Sequence, residues 1–231
     1  MIFFNSNRFA YWVLPLVVGA VLVFMNYSGI YVLTQIVSPD VNREFGLLEH
    51  LQLVLIAITL VYSIKAVPTK EFWLEKLGYI FMSLFLVLLF LEELDYGLHY
   101  IEYFSNEPPT ESAEIRNFHN QGDNNYYLRQ ASYVVMVLFF VVLPLVQDKI
   151  KNTFIKHFCA NRYLVYTFAV YLFTGQLSRW LPKLGMPNNQ SLWGNHQEFE
   201  ELILYYIILL YVYEIAIQKK PLFTSNGRFK K

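Results

Sequence analysis

The 231-residue chain is 55% apolar and 18% aromatic, and its 18 basic and 18 acidic side chains give a net charge of zero. This apolar and aromatic content exceeds that of a typical soluble domain and predicts a membrane protein. Basic patches of the kind that hold nucleic acid are absent, so we expect no nucleic-acid partner. The single cysteine, Cys159, excludes an internal disulfide.

Six apolar stretches are long enough to cross a bilayer, since about 20 helical residues span its hydrocarbon core. They predict an all-α fold, a single integral membrane domain with six transmembrane helices over residues 11–33, 44–66, 72–95, 128–146, 163–180 and 199–217. The third helix is expected to continue to Phe104. A polar outer loop, residues 105–127, follows, and Pro108-Pro109 within it interrupts any helix.

The charged residues divide between the two ends of these spans. Six crossings put both termini on one side, and that side collects 13 of the 18 basic residues. The positive-inside rule makes it cytoplasmic. The opposite side collects 14 of the 18 acids and four of the five histidines. The sequence therefore predicts an acidic, histidine-rich face outside the cytoplasm.

Polar groups are concentrated between Glu92 and Glu102. The preceding uncharged run, residues 77–91, rises about 22 Å as a helix. The hydrocarbon core is about 30 Å thick, so Glu92 and Glu93 are expected inside its outer edge, where acids usually mark a site or a pathway. If the helix continues, the spacing of Glu92, Asp95, His99 and Glu102 places them on one face.

Histidine and carboxylate groups from facing helices suit a transition metal such as zinc. We expect Glu92, His119, His196 and Glu200 to bind a divalent metal of this kind. The candidate catalytic residues are Glu92, Glu93, His119 and Arg129, because a carboxylate can act as a general base and arginine can hold a substrate phosphate. In the alternative reading, the acids pair with Arg129 and Arg179 as a purely structural network.

Two motifs carry a family resemblance: Glu92-Glu93-Leu94-Asp95-Tyr96-Gly97, and downstream Asn117-Phe118-His119-Asn120. Their pattern, Glu-Glu-x-x-(Trp/Tyr)-Gly and then Asn-x-His-Asn, resembles a family of small bacterial inner-membrane proteins with several spans. The sequence departs from that family at Asp95, Leu98 and His99. The resemblance implies a location in the bacterial cytoplasmic membrane and implies no reaction. A weaker, architectural analogy is to the alkaline ceramidase-like membrane hydrolases.

Three functions fit these patterns. The first is a metal-assisted membrane hydrolase or transferase acting on a lipid or lipid-linked substrate at the outer face. The second is a proton- or cation-coupled transporter or channel subunit, which would need polar groups along its whole path. The third is a non-enzymatic subunit of a homo-oligomer or membrane complex. The enzyme reading predicts a dry cytoplasmic half built from residues such as Phe81, Phe85, Leu88 and Phe139.

Overall fold

The computed structural model describes residues 9–39, 45–105, 124–184, 195–224 and 229. Within these ranges the chain is helical, and its one β contact is an isolated bridge between Phe223 and Phe229. Four helices are long and apolar enough to cross a membrane, Phe9–Tyr27, Leu47–Thr69, Trp73–Glu93 and Gln130–Lys149, and Leu164–Leu177 is a shorter apolar helix. The predicted all-helical fold is confirmed for these ranges, and the four apolar helices have the length and composition of membrane spans.

The helices are numbered here in chain order. They are α1 (Phe9–Tyr27, its first turn π-helical), α2 (Tyr31–Val37), α3 (Leu47–Ala66), α4 (Trp73–Glu93), α5 (Leu98–Ser105), α6 (Asn124–Val137), α7 (Thr153–Phe158), α8 (Leu164–Trp180) and α9 (Asn195–Tyr213). A π-helical segment, Leu138–Val142, continues α6 into Leu143–Val146, and another, Glu214–Gln218, continues α9.

Contacts between the long helices show that their directions alternate. Gln52 near the start of α3 bonds to Glu198 near the start of α9, so these two helices run the same way. Tyr205 of α9 bonds to Glu93 at the end of α4, which therefore runs the opposite way.

The directions of α1, α6 and α8 follow from similar contacts. Tyr133 of α6 bonds to Glu200, so α6 runs with α9. Gly175, late in α8, lies against Glu200, so α8 opposes α9. Thr167 of α8 donates a hydrogen bond to the Tyr11 carbonyl of α1, so α1 runs with α8. We call the end that carries Glu93, Glu198 and Glu200 the acidic end, and the opposite end the basic end.

The interior side of α3 shows how these helices approach one another. Gln52, Ile56, Thr59, Ser63 and Ala66 follow each other at intervals of three or four residues, and all are buried. Small and hydroxyl side chains at this spacing let membrane helices pack closely. Thr59 and Ser63 satisfy their hydroxyls on backbone carbonyls, of Leu55 in the same helix and of Tyr79 in α4 respectively.

Two helices end earlier than predicted because left-handed residues stop them. The first helix ends at Tyr27 and not at Leu33, because Gly29 adopts a left-handed backbone (φ 72°) that turns the chain into the separate helix α2. The third helix ends at Glu93, because Tyr96 (φ 54°) and Gly97 (φ 84°) are both left-handed and break it before α5.

The expectation that the third helix continues to Phe104 is wrong, because the helix breaks after Glu93. Glu92 therefore does not share one continuous helical face with Asp95, His99 and Glu102. The residues expected to build the dry cytoplasmic half do not form its interior. Phe81, Phe85, Leu88 and Phe139 are exposed and point away from the bundle, while Ile56, Leu86 and Tyr205 form the apolar layer below the acidic end.

Candidate functional site

Glu93 lies where α4 meets α9. The hydroxyl of Tyr205, which is only 6% exposed, donates a short hydrogen bond to the Glu93 carboxylate. A carboxylate that is partly removed from water needs donors, so this bond stabilises the half-buried Glu93 between the helices. Glu93 thus reaches a neighbouring helix through its side chain.

More acidic groups surround the same phenol. Glu198 and Glu201 lie close enough to Tyr205 to interact with it electrostatically. Gln52 of α3, which is fully buried, donates from Nε2 to both the carbonyl and the carboxylate of Glu198, each at 3.2 Å. We call Gln52, Glu93, Glu198, Glu201 and Tyr205 the inner acidic cluster.

Glu200 occupies a different place. It is 8% exposed, and its Oε2 accepts a 2.9 Å hydrogen bond from the Tyr133 hydroxyl of α6. Its Oε1 lies so close to α8 that a Cβ added to Gly175 would be 2.3 Å away. Gly175 therefore makes room for this carboxylate, and any larger residue there would displace it.

Helix α9 separates these two groups of acids. Successive residues on a helix turn by about 100°, so Glu198, Glu201 and Tyr205 share one face and Glu200 lies near the opposite one. The first face meets α3 and α4, and the second meets α6 and α8. The described contacts therefore do not bring Glu200 together with Glu93.

Glu92 points away from its neighbour Glu93. It accepts a hydrogen bond from the hydroxyl of Tyr96, a residue that is 49% exposed. Tyr96 holds a left-handed backbone, which is uncommon for a bulky residue and costs on the order of 1–2 kcal/mol. The pair Glu92–Tyr96 lies beside the pair Glu93–Tyr205; the first hydrogen bond is exposed and the second is partly buried.

His50 borders the acidic end on α3. Its Nδ1 lies 2.8 Å from the Gly46 carbonyl and so carries a proton there, which leaves Nε2 facing the Tyr100 hydroxyl at 3.5 Å. Phe45 packs edge-on against the Tyr100 ring. This contact ties the start of α3 to α5 and places an imidazole nitrogen at the same end as the carboxylates.

Several predicted site residues lie outside what the structure describes. His119, Asn117 and Asn120 are outside the described residues, and so are the side chains of Arg129, Arg179 and His196. Among the described side chains, no group of three or more histidine, cysteine or carboxylate residues is arranged to hold a metal ion. Because His119 and the side chain of His196 lie outside that description, the predicted metal set of Glu92, His119, His196 and Glu200 stays a prediction.

Three tyrosines that no sequence motif singled out complete the acidic end. Tyr96, Tyr133 and Tyr205 supply the hydroxyl donors for Glu92, Glu200 and Glu93. Spacing offered a signal for two of them, because Tyr96 follows Glu92 by four residues and Tyr205 follows Glu198 by seven.

No protein-family model, curated protein or solved structure matches the chain.

Proposed function

We propose that the chain is a multi-pass protein of a bacterial cytoplasmic membrane, with six spans and both termini in the cytoplasm. Its acidic end acts as a membrane-embedded enzyme on a lipid or lipid-linked substrate from the outer leaflet, as a hydrolase or transferase. The excess of basic residues at the opposite end supports this orientation. The apolar helices support the membrane location.

The observation that carries the proposal is the pair of adjacent carboxylates, each held by a tyrosine hydroxyl. The hydrogen bond between Glu92 and Tyr96 is exposed, while that between Glu93 and Tyr205 is partly buried. A carboxylate beside a phenol offers a proton acceptor and a proton donor within one hydrogen bond. A left-handed residue such as Tyr96 persists only where the surrounding structure holds it, and such residues are frequent at functional sites.

The roles follow from exposure. Glu92, on the accessible side, acts as the general base that removes a proton from water or from a substrate hydroxyl. Glu93 does not touch the substrate; it positions α4 against α9 through Tyr205. Arg129 and Arg179 are candidates for holding a phosphate or carboxylate of the substrate, since arginine binds such groups with two parallel hydrogen bonds.

No step in this proposal passes through a metal. The metal prediction rests on His119 and His196 and is tested separately, by elemental analysis of the purified protein. Stoichiometric zinc, iron or manganese that is lost in a His196→Gln variant would add a metal to the site. Wild-type protein that is active without a bound transition metal would contradict the metal prediction and leave the carboxylates as the acid–base groups.

Coupled transport is the competing function. A conducting path would need polar groups between the acidic and basic ends. Below Tyr205 the interior is instead apolar, with Ile56 and Leu86 buried against it. Farther along α3, the buried hydroxyls of Thr59 and Ser63 are engaged with backbone carbonyls. These contacts favour an enzyme over a transporter.

The experiment uses purified protein in liposomes made from a bacterial total lipid extract, with mass spectrometry of the lipids over time. Wild-type protein is expected to convert at least one lipid species, and Glu92→Gln is expected to abolish the conversion. Glu71→Gln, which removes one exposed carboxylate at the basic end, is the matched control and is expected to retain it. Proton flux that depends on Glu92, with no lipid converted, would establish the transporter in its place.

A further inference from the structure

Helix α5 begins where the apolar helix α4 stops. With 21 residues, α4 is about 30 Å long, which matches the thickness of a hydrocarbon core. Left-handed backbone at Tyr96 and Gly97 then turns the chain before Leu98–Ser105 forms α5. Helix α5 thus follows directly on the point at which a membrane-spanning α4 reaches the edge of the core.

A contact with α3 keeps α5 close to this height. Ser83 of α4 donates a 2.9 Å hydrogen bond to Ser63 of the antiparallel α3. His50 lies 13 residues before Ser63 and Leu94 lies 11 residues after Ser83, so the two are within about 3 Å of the same height. The hydroxyl of Tyr100 lies 3.5 Å from His50 Nε2. The Tyr100 side chain of α5 therefore contacts the start of α3 at the height where α4 ends.

A second side of α5 is apolar and exposed. Ile101 and Phe104, three residues apart and so on one helical face, are 61% and 77% exposed. Tyr100 is instead half-buried, and its ring meets that of Phe45 edge-on at 5.0 Å. Helix α5 therefore packs on the start of α3 with one side and presents two large apolar groups away from the bundle with another.

The exposed side of α5 comes directly after an exposed apolar surface of α4. Leu84, Leu88 and Leu91 are exposed along α4, as is expected of a helix with the length and composition of a membrane span. Water is an unfavourable neighbour for large apolar groups, whereas lipid acyl chains at the edge of the core are a favourable one. Helices with one apolar side lie in the membrane interface for this reason.

We propose that α5 is an interfacial helix, which lies at the membrane surface of the acidic end with Ile101 and Phe104 inserted among the lipids of that leaflet. A helix in this position buries its apolar side roughly 5–10 Å into the boundary between head groups and acyl chains. Because Tyr96 comes just before α5, its hydrogen bond to Glu92 lies at the level of the lipid head groups. The lipid contact of α5 holds whether or not Glu92 is catalytic.

Fluorescence quenching in vesicles tests this position. Phe104→Cys, in a chain with Cys159→Ala, is labelled with nitrobenzoxadiazole and reconstituted into vesicles of phosphatidylethanolamine and phosphatidylglycerol. The vesicles also contain a lipid that carries a nitroxide quencher either near its head group or near the end of its acyl chain. The label at position 104 is expected to lose more fluorescence to the shallow quencher than to the deep one.

Two further labels calibrate the depth. Leu84→Cys, nine residues before the end of α4, places a label about 14 Å below the edge of the core, where the deep quencher is expected to act more strongly. Ser112→Cys, in the predicted outer loop, is expected to be quenched by neither lipid. A label at position 104 that behaves like the one at 112 would place α5 in water, and one that behaves like the label at 84 would place it inside the core. Either result would overturn the proposal.

Photochemical crosslinking distinguishes lipid from a second copy of the chain and leaves Cys159 unchanged. Benzoylphenylalanine replaces Phe104 in one chain and Leu84 in another, and both are irradiated in the same vesicles without quencher. Position 104 is expected to gain the mass of one lipid, as position 84 does. Covalent dimers through position 104, or no lipid adduct there while position 84 reacts, would contradict the proposal. Neither measurement involves lipid conversion, so the outcome is independent of the proposed activity.

Discussion

The contact between Gly175 and Glu200 gives the sharpest prediction about the acidic end. In Gly175→Ala, the new Cβ would lie 2.3 Å from Glu200 Oε1, 2.6 Å from its Cγ and 2.8 Å from its Cδ. Because the stem of the side chain is affected as well as its tip, Glu200 must change rotamer. It then loses its 2.9 Å hydrogen bond from Tyr133.

The magnitude follows from opposing effects. Overpacking costs typically about 1–3 kcal/mol, and a lost hydrogen bond to a charged group costs about 1.5–3 kcal/mol. Alanine favours a helix over glycine by about 1 kcal/mol. We therefore expect Gly175→Ala to lower the free energy of unfolding by about 2–4 kcal/mol. Reversible unfolding by denaturant in detergent micelles measures this difference.

Two controls make the reasoning refutable. Gly78 of α4 has nothing within 4 Å of an added Cβ, so Gly78→Ala is expected to be neutral or slightly stabilising. In a Glu200→Ala background the clash is gone, and Gly175→Ala is then expected to stabilise by up to about 1 kcal/mol. A loss of stability that persists without the Glu200 side chain, or a Gly175→Ala as harmless as Gly78→Ala, would refute the account.

The remaining predictions concern other parts of the molecule. Tyr205→Phe removes the hydroxyl donor of the half-buried Glu93 carboxylate and is expected to cost about 1.5–3 kcal/mol of unfolding free energy, measured in the same way; an unchanged midpoint would contradict the bond. Burial lowers the pKa of His157 below its usual 6.5. The free energy of unfolding is therefore expected to be highest above pH 6.5 and to decrease as the pH falls from 6.5 towards the lowered pKa. His157→Gln is expected to flatten this part of a pH–stability curve. In a cysteine-free background, an impermeant thiol reagent is expected to label Ser112→Cys in intact cells and Thr69→Cys only after lysis; labelling of position 112 only after lysis would reverse the orientation.

Composition and apolar length were sufficient to predict the helical membrane class. The long apolar runs have few structures open to them, because backbone groups in lipid must be hydrogen-bonded internally. The ends of the fourth and fifth predicted helices also lie within a few residues of the observed ones. The break at Tyr96 was not foreseen, since a left-handed tyrosine depends on its tertiary surroundings, and the adjacent Gly97 was the available signal.

The partners of the acids were harder to predict. Depth along a helix can be counted from the sequence, and it predicted Glu92 and Glu93 near one end of the bundle. Rotation between helices cannot be counted in this way, so the position of Glu93 and Glu200 on opposite sides of α9 appeared only in the structure. No sequence pattern distinguishes Gly175 from other helical glycines, and its contact with Glu200 is visible only in the structure.

The central claim is that Glu92 does chemistry and does not merely support the fold. It is tested most directly by measuring, on the same Glu92→Gln preparation in liposomes, both the rate of lipid conversion and the midpoint of unfolding. The account predicts that conversion is abolished while the unfolding midpoint stays at the wild-type value, because Gln keeps the shape of the side chain and a weaker hydrogen bond to the exposed Tyr96. A variant that converts lipid at the wild-type rate, or that differs from wild type only in its unfolding midpoint, would show that the acidic end is structural.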